Sequence, residues 1–349
     1  MIPKKRLLQL SVFLTFTLLT ACEPLAPQQT PQIIVVTGVT PTAPPGGADV
    51  LLEAVIEPGT LVAGAVNTPV PTPAATPTPT ALPTATPFGC LEATGRIVEE
   101  TFTSAILGGD VPYTMYQPPC FFDTWRRYPY VILLHGTGYD EQMWADLGVA
   151  EALDKGIRTG TLPPMVLIMP DGGYLAEENN APVEQSWEAV ILSELVPSLE
   201  AYGTGYCLWG ARDGRAIGGI SRGGFWAFSI ALRHPDLFSA LGGHSPHFDP
   251  DHAPAAINPL DLAARAVLNK FPLRIWMDNA AQDTVGPMAE RMSETLRANG
   301  IEHEYVIHPT GAHDMAYWTA HVTEYLSFYG RDWPVDVTRL PSCEEESPS

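Results

Sequence analysis

The sequence predicts an α/β fold with a mostly parallel central sheet, located in the chain after residue 87. Short, continuously apolar segments alternate there with segments of helical periodicity, a pattern typical of a parallel sheet covered by helices on both faces. About 260 residues remain for this region and 45% of the chain is hydrophobic, which suffices for the core of one large domain. We therefore expect a single domain over residues 88–349, preceded by two segments of a different character.

The first 21 residues predict a secretory signal. Three positive charges, at Lys4, Lys5 and Arg6, precede an apolar run over residues 7–21. That run is shorter than the about 20 residues needed to span a membrane. It ends in Leu-Thr-Ala-Cys, which resembles the lipobox of bacterial lipoproteins, in which the cysteine carries a diacylglycerol after cleavage. We expect a lipid on Cys22 and an extracytoplasmic protein anchored to the bacterial cell membrane; the alternative is an ordinary signal peptide and secretion.

Residues 22–87 predict a disordered linker that is rich in threonine and proline. Fourteen of the 35 prolines lie in it. Proline fixes φ and removes a backbone donor, which favours the extended polyproline II conformation. Two short apolar patches, at residues 33–36 and 50–56, could form weak strands, and we assign them to no domain.

Within the domain, an antiparallel β-hairpin is the first predicted feature, because two strand-like segments flank a Gly-Gly pair at residues 108–109. The strands of the domain are predicted at residues 96–103, 111–117, 130–134, 165–169, 216–219, 239–242, 273–277 and 304–307. The helices are predicted at residues 190–202, 225–233, 287–299 and 315–329.

The strongest sign of chemistry is the sequence Gly-Ile-Ser-Arg-Gly at residues 219–223. It follows a predicted strand and precedes a predicted helix, which is the context of a nucleophile elbow. The glycines permit a turn that would be too tight for larger neighbours, so that the hydroxyl of Ser221 is held out. We expect Ser221 to be a catalytic nucleophile rather than part of a structural turn.

A nucleophilic serine needs a base and a third group that orients the base. His313 lies in a glycine-containing loop after the last predicted strand and is the candidate base. We interpret His303 and His308, which border that strand, as structural. We interpret His321, inside the last predicted helix, as a solvent-exposed or capping residue.

Two aspartates, Asp278 and Asp283, follow the next-to-last predicted strand, and either could orient the base. An oxyanion hole requires two backbone N–H groups. The N–H of Arg222, next to the nucleophile, is the first. We choose the N–H of Thr137 as the second, because the sequence His-Gly-Thr-Gly at residues 135–138 follows a strand and lets the backbone turn toward the serine.

Several segments of the sequence resemble the same protein family. They are residues 216–245, Leu-Leu-His-Gly at 133–136, Met-Pro-Asp-Gly-Gly at 169–173, Trp-Glu at 187–188, Glu-Leu at 194–195, Gly-Ala-His-Asp at 311–314 and Tyr-Trp at 317–318. Together they resemble the esterase branch of the α/β-hydrolases, which includes S-formylglutathione hydrolases, feruloyl esterases, enterochelin esterases and antigen 85 acyltransferases. The resemblance spans about residues 95–329. It implies an α/β-hydrolase fold with an antiparallel N-terminal hairpin and helices on both faces of the sheet.

The resemblance also implies roles for particular residues. The nucleophile of the family falls on Ser221, its base on His313 and its acid on Asp283. Ala280 stands where the acid motif of the family has glycine, so Asp278 stays open as an alternative acid.

The function implied by the resemblance is a serine carboxylic-ester hydrolase that forms an acyl-enzyme and needs no cofactor and no metal. We expect a small-molecule or carbohydrate-linked ester as substrate; the alternatives are an acyltransferase of the antigen 85 type and a non-catalytic surface binding module. Arg222 stands where the family usually has an uncharged residue, and its guanidinium could steer anionic substrates or form an ion pair.

Other partners are constrained by charge. The formal net charge of −20 argues against nucleic acid. We expect membrane contact only through the lipid anchor, and the sequence indicates no oligomeric state.

One polar segment concentrates side chains that can bind metals: His244, His247, Asp249, Asp251 and His252. Imidazoles and carboxylates at close spacing could hold zinc or calcium. However, Pro246 and Pro250 prevent a helix that would align them. We therefore expect a loop at the substrate entrance and not a metal site.

Besides Cys22, the chain has four cysteines, an even number in an exported protein, which favours disulfides. Three pairings are open. The hairpin around residues 108–109 would bring Cys90 close to Cys120, which leaves Cys207 to pair with Cys343. The alternative is four reduced, scattered thiols.

Overall fold

The computed structural model describes residues 30–36, 90–201, 203–251 and 253–343. Cys22, the expected signal, most of the expected linker and His252 lie outside these residues. The predicted anchor at Cys22 is therefore a sequence-based expectation alone.

One sheet organises the described residues. Its strands are β1 (Gln32–Val36), β2 (Arg96–Ser104), β3 (Gly109–Gln117), β4 (Tyr130–Leu134), β5 (Val166–Pro170), β6 (Arg215–Ile220), β7 (Ala240–His244), β8 (Arg274–Ala280) and β9 (His303–His308). They lie in the order β1-β9-β8-β7-β6-β4-β5-β3-β2. Strands β4 to β9 are parallel to one another, while β3 is antiparallel to both β5 and β2. The predicted mostly parallel sheet with an antiparallel N-terminal hairpin is confirmed.

The helices follow the strands along the chain. They are α1 (Met143–Asp146), α2 (Val149–Thr159), α3 (Gly173–Glu177), α4 (Trp187–Ala189), α5 (Val196–Glu200), α6 (Arg222–Arg233), α7 (Pro259–Arg265), α8 (Gly286–Ala298) and α9 (Met315–Gly330). A π-helical segment, Val190–Leu195, joins α4 to α5. Helices α1, α2, α3 and α7 have no counterpart in the sequence-based prediction. Among the described residues, no helix combines the length and the apolar character needed to cross a bilayer.

Helices cover both faces of the sheet. Strand β4 illustrates why such a strand is apolar at every position. Tyr130 and Ile132 pack into the core that is shared with α4 to α8. Val131 and Leu133 point the other way, into the core that is shared with α1, α2 and α9. Because successive side chains of a strand alternate between faces, a strand that is covered on both sides must be apolar at every position.

Strand β1 forms at the apolar patch where the sequence leaves a weak strand open, but it belongs to the sheet of the domain and not to the linker predicted over residues 22–87. It pairs antiparallel with β9, with Ile34 opposite Tyr305, and so extends the edge of the sheet. An edge strand offers unpaired backbone groups, and the β-branched run Ile-Ile-Val-Val takes the extended conformation that can use them. Ile33 and Val35 are each 61% exposed, so backbone pairing rather than side-chain burial holds this strand.

Two disulfide bonds join the four cysteines of the domain. Cys90 is bonded to Cys120, and Cys207 is bonded to Cys343, with Cα–Cα distances of 5.8 and 6.0 Å. This is the pairing that the hairpin favours. The second bond fastens the C-terminal segment to the loop before β6.

Candidate active site

Ser221 lies in the tight turn between β6 and α6, with φ 53° and ψ −114°. A positive φ is strained for any residue except glycine, so the surrounding packing has to impose it. The two glycines of the motif make this packing possible. A Cβ at Gly219 would lie 2.3 Å from the carbonyl carbon of Gly223, and one at Gly223 would lie 2.1 Å from the carbonyl oxygen of Leu134. Only glycine fits at either position.

The structure brings the side chain of Ser221 together with His313 and Asp283. The Oγ of Ser221 lies 2.9 Å from the Nε2 of His313. On the other side of the ring, Nδ1 lies 3.0 Å from Oδ1 and 3.2 Å from Oδ2 of Asp283. A hydroxyl, an imidazole and a carboxylate in this order can activate the hydroxyl as a nucleophile.

The two loops that hold the imidazole and the carboxylate leave the same edge of the sheet. His313 lies between β9 and α9, and Asp283 lies between β8 and α8. Gly311, with φ 116°, makes the first loop possible, because a Cβ there would lie 2.6 Å from the Cδ2 of Tyr317. The side chain of His313 is 24% exposed and that of Asp283 is 0% exposed, so a small molecule can reach the imidazole but not the carboxylate.

The environment of Asp283 keeps its carboxylate ionised. Burial alone would raise the pKa of this group, but hydrogen bonds from His313, from the hydroxyl of Ser245 and from the N–H of Val285 together lower it below the usual range. The Val285 N–H lies 2.9 Å from Oδ1. An ionised carboxylate is what holds the Nδ1–H tautomer of the base and stabilises the imidazolium that forms during catalysis.

The alternative acid, Asp278, lies in a different environment and does not contact His313. Its side chain is fully buried, with Oδ1 3.0 Å from the Nδ1 of His244. Its Oδ2 accepts hydrogen bonds from the hydroxyls of Tyr317 and Tyr325. Burial, followed by the charge of Asp278, raises the pKa of Tyr317 far above its ordinary value, so this hydroxyl stays a neutral donor. The structure therefore gives Asp278 a place in the buried core beneath the site.

The loop after β4 lies against Ser221. A Cβ added at Gly136 would come within 3.5 Å of the Cβ of Ser221, so the backbone at this point borders the space in which an ester carbonyl would sit. The Nε2 of the preceding His135 accepts a hydrogen bond from the N–H of Gly172 at 2.9 Å, which fixes the start of the loop. Thr137 is exposed, and its hydroxyl donates to the carboxylate of Glu177 at 3.0 Å.

The side chain of Arg222 neither forms an ion pair nor faces the solvent to steer anionic substrates, which were the two alternatives from the sequence. It is only 2% exposed, and no carboxylate of the described residues lies within ion-pair distance of it. Its Nε donates to the carbonyl oxygen of Ala176 at 2.7 Å, a second nitrogen donates to Asn179, and the ring of Phe225 lies 4.3 Å from the guanidinium carbon. Burial lowers the pKa of this group to about 10. The guanidinium fastens the C-terminal end of α3 beside the site.

Ser245 is a member of the site that the sequence analysis did not single out. It is fully buried at the end of β7 with φ 47°, and its Oγ accepts a hydrogen bond from the indole of Trp318 at 3.1 Å. Through its hydroxyl it also acts on Asp283. The sequence signal that could have identified Ser245 is its position directly after β7, the neighbour of the strand that precedes Ser221.

Two groups of described side chains bring metal-binding atoms within 4.8 Å of one another: Cys90, Glu92 and Cys120, and His308, His321 and Glu324. The thiols of the first group are consumed by the disulfide bond. The polar segment of residues 244–252 forms no such group among its described members. Its first residue, His244, ends β7 and is fully buried with hydrogen bonds to Asp278 and Tyr329.

Comparisons with known proteins agree with this architecture. A family model described as "Putative esterase" matches residues 104–329. An esterase of Mycobacterium tuberculosis is 31% identical over 150 residues, which are 41% of this chain and 31% of that protein. An endo-1,4-beta-xylanase/feruloyl esterase of Xylanibacter ruminicola is 27% identical over 156 residues, which are 42% of this chain and 21% of that protein. The matched region is thus less than a third of the length of these relatives.

Solved structures share the fold. A ferulic acid esterase superposes with a TM-score of 0.60 at 24% identity, covering 68% of this chain and 99% of that chain. An S-formylglutathione hydrolase of Staphylococcus aureus superposes with a TM-score of 0.58 at 20% identity, covering 67% and 98%.

Proposed function

The chain belongs to the esterase family of α/β-hydrolases, and from this premise we propose that it is a serine hydrolase of carboxylic esters that works through an acyl-enzyme. The observation that supports the proposal most directly is the line of contacts from Ser221 through His313 to Asp283, with distances of 2.9 and 3.0 Å. In this proposal Ser221 is the nucleophile, His313 is the base and Asp283 orients the base.

Acylation begins when the Oγ of Ser221 attacks the carbonyl carbon of the ester and its proton passes to the Nε2 of His313. The ionised Asp283 stabilises the imidazolium through Nδ1–H. The oxyanion of the tetrahedral intermediate is stabilised by the backbone N–H groups of Thr137 and Arg222. When the C–O bond to the leaving group breaks, His313 returns the proton to the departing alkoxide, and the alcohol leaves an acyl group on Ser221.

Deacylation uses the same groups in reverse. A water molecule gives a proton to His313 and its oxygen attacks the acyl carbon. The second tetrahedral intermediate breaks at the bond to Ser221, which regains its proton from His313, and the carboxylic acid leaves. No electron transfer and no further reactant is needed.

The substrate in this proposal is a small-molecule or carbohydrate-linked ester. Two tyrosines at this edge of the sheet, Tyr139 in the loop after β4 and Tyr174 in α3, are 42% and 67% exposed, and such rings can stack on aryl or sugar groups. The relatives named above as feruloyl and ferulic acid esterases make hydroxycinnamoyl esters the first substrates to test.

We also propose that the protein works outside the cytoplasm, held to the membrane by a diacylglycerol on Cys22. The lipobox-like sequence motivates this, and the two disulfide bonds are what an oxidising compartment permits. Replacing Cys22 with Ser should yield unprocessed precursor or soluble exported enzyme. Recovery of the wild-type protein from its host in the aqueous phase of a detergent extraction, with an unmodified N-terminus, would contradict the proposal.

Hydrolysis of p-nitrophenyl acetate and of methyl ferulate by the wild type and by Ser221→Ala tests the reaction. We expect the variant to lose on the order of 10⁴-fold or more in kcat and to lose labelling by a fluorophosphonate. Ser229→Ala is the matched control, since Ser229 is a buried serine of α6 away from the imidazole. Full activity in a folded Ser221→Ala variant would end the proposal, and acyl transfer to an added sugar would make it an acyltransferase instead.

A further inference from the structure

A second cluster of chemistry-bearing side chains lies beyond the catalytic residues, where β9 ends and α9 passes over it. His308 is the last residue of β9, and His321 and Glu324 lie one turn apart on α9. The catalytic mechanism uses none of the three. The loop of residues 309–314, which carries His313, connects the two elements.

The separations of the donor atoms in this cluster fit a tetrahedral ion. The Oε2 of Glu324 lies 3.2 Å from the Nε2 of His308 and 3.3 Å from the Nδ1 of His321. The third pair of atoms lies within 4.8 Å. Ligand bonds of about 2.0–2.2 Å at tetrahedral angles place neighbouring ligand atoms about 3.3–3.6 Å apart. Two of the three separations therefore need almost no adjustment to accept such an ion.

His308 supplies an independent observation. Its side chain is only 8% exposed, and among the described residues its Nε2 has no hydrogen-bond partner of acceptable geometry, although Glu324 is close. A buried polar atom without a partner is energetically unfavourable. The carboxylate oxygen that lies 3.2 Å from this nitrogen is also close to His321, so an ion placed between the three donor atoms would give the nitrogen a partner.

The remaining surroundings suit a cation. The rings of His308 and His321 lie with centroids 3.7 Å apart at an interplanar angle of 35°, and Tyr317 packs against both, so the two rings would turn apart when they bind one ion. The side chain of Glu324 is 41% exposed, which leaves a path from solvent and room for a water ligand.

We propose that His308, His321 and Glu324 bind a divalent transition-metal ion of the Zn²⁺ class. Two imidazole nitrogens and one carboxylate oxygen are the donor set that such ions prefer, with a fourth position left for water. The ion would join the end of β9 to α9 and so brace both ends of the loop that carries His313.

The test measures Zn²⁺ and Co²⁺ binding to metal-free protein that carries no histidine tag. We expect one ion per chain by calorimetry, the visible absorption of tetrahedral Co²⁺, and a Tm raised by about 5 °C at a hundredfold excess over the dissociation constant. Chelation should reverse the shift. His321→Gln and Glu324→Gln should each weaken binding by about 100-fold or more, since even outer-shell partners of metals are worth 10–100-fold.

The matched control is His234→Gln, which removes another imidazole paired with a glutamate, Glu188, at 2.9 Å but with no third ligand. It should bind the metal as the wild type does. Because His321 and Glu324 are partly exposed, their variants should fold, and circular dichroism verifies this. A wild type that shows no Zn²⁺-dependent Tm shift, or an unchanged affinity in folded His321→Gln and Glu324→Gln, overturns the proposal and leaves an ordinary ion pair. Loss of esterase activity is not a readout here, so this test is independent of the proposed reaction.

Discussion

The backbone N–H of Ser221 donates a hydrogen bond to the carbonyl oxygen of His244 at 3.0 Å. The imidazole of His244 is in turn bonded to Asp278 and Tyr329 at 3.0 and 2.8 Å. The strained turn at the proposed nucleophile is therefore attached to a fully buried polar network. Mutations near the site should therefore have one of two effects. Those at the reacting residues should lower the catalytic rate, and those in the buried network beneath them should lower the stability of the fold.

The two candidate acids should respond differently to the same substitution. Asp283→Asn places an amide beside the imidazole, which favours the wrong tautomer, and we expect kcat to fall by on the order of 10⁴-fold. Asp278→Asn weakens the acceptor for two tyrosines and His244, and we expect about 2–4 kcal/mol less unfolding free energy with kcat changed by less than about tenfold. Urea denaturation and steady-state kinetics of both variants measure the difference. If folded Asp278→Asn loses as much kcat as Asp283→Asn, the assignment of the acid is wrong.

The stability contributed by Asp283 should depend on pH in a defined direction. Its carboxyl has a pKa below the usual range in the folded protein and about 3.9 when unfolded. A group of this kind contributes stability that is fully present above the unfolded pKa and is lost as pH falls through the folded pKa. The difference in unfolding free energy between wild type and Asp283→Asn should therefore be largest above about pH 4 and shrink progressively below it. A difference that grows on acidification would contradict the hydrogen bonding described for this carboxylate.

Replacing Arg222 should affect substrate binding more than the chemical step. Arg222→Met removes the guanidinium that holds the Ala176 carbonyl and Asn179, but it retains the backbone N–H proposed as an oxyanion donor. We expect KM to rise, kcat to stay within about tenfold, and amide hydrogen exchange to speed up around residues 176–182. Trp226 also donates to the Ala176 carbonyl, so α3 should stay in place. A loss of kcat on the order of 10³-fold would mean that the guanidinium takes part in the reaction itself.

The two disulfide bonds should contribute unequally to stability. Cys207–Cys343 closes a sequence separation of 136 residues and Cys90–Cys120 one of 30. In the loop-entropy description each removes freedom from the unfolded chain, and the longer loop is worth about 1 kcal/mol more. Thermal unfolding of Cys207→Ser/Cys343→Ser and of Cys90→Ser/Cys120→Ser, with reduced wild type as reference, compares them. Equal losses would show that native-state packing outweighs loop length here.

The parallel strands and the residues at their ends could be predicted because local patterns specify them. The run at residues 216–219 is apolar at every position since β6 is covered on both faces, and Ser221 follows it within a motif whose glycines avoid specific collisions. The helix predicted at residues 190–202 was placed too late in the chain at both of its ends. The observed helical run begins at Trp187 and includes a π-helical segment, which periodicity alone does not indicate.

Other features depend on which distant segments meet. Each of His308 and His321 taken alone is an ordinary strand-end or helix residue, and only the packing of α9 on β9 brings both to Glu324. Ser245 likewise gains its role from Trp318, which lies 73 residues later in the chain. The apolar patch at residues 33–36 carries the signature of a strand but no information about its partner, which is the free edge of β9.

The pairing of β1 with β9 limits the distance that the catalytic domain can lie from the membrane. If Cys22 carries the lipid, the covalent tether between the membrane and the sheet is residues 23–31, which span at most about 30 Å when fully extended. The chain from residue 37 to Cys90 starts and ends on the same domain, so its length adds nothing to the reach of the enzyme. As long as β1 stays paired, the catalytic domain would remain within a layer a few nanometres deep above the lipid surface. Only esters that enter this layer would be hydrolysed.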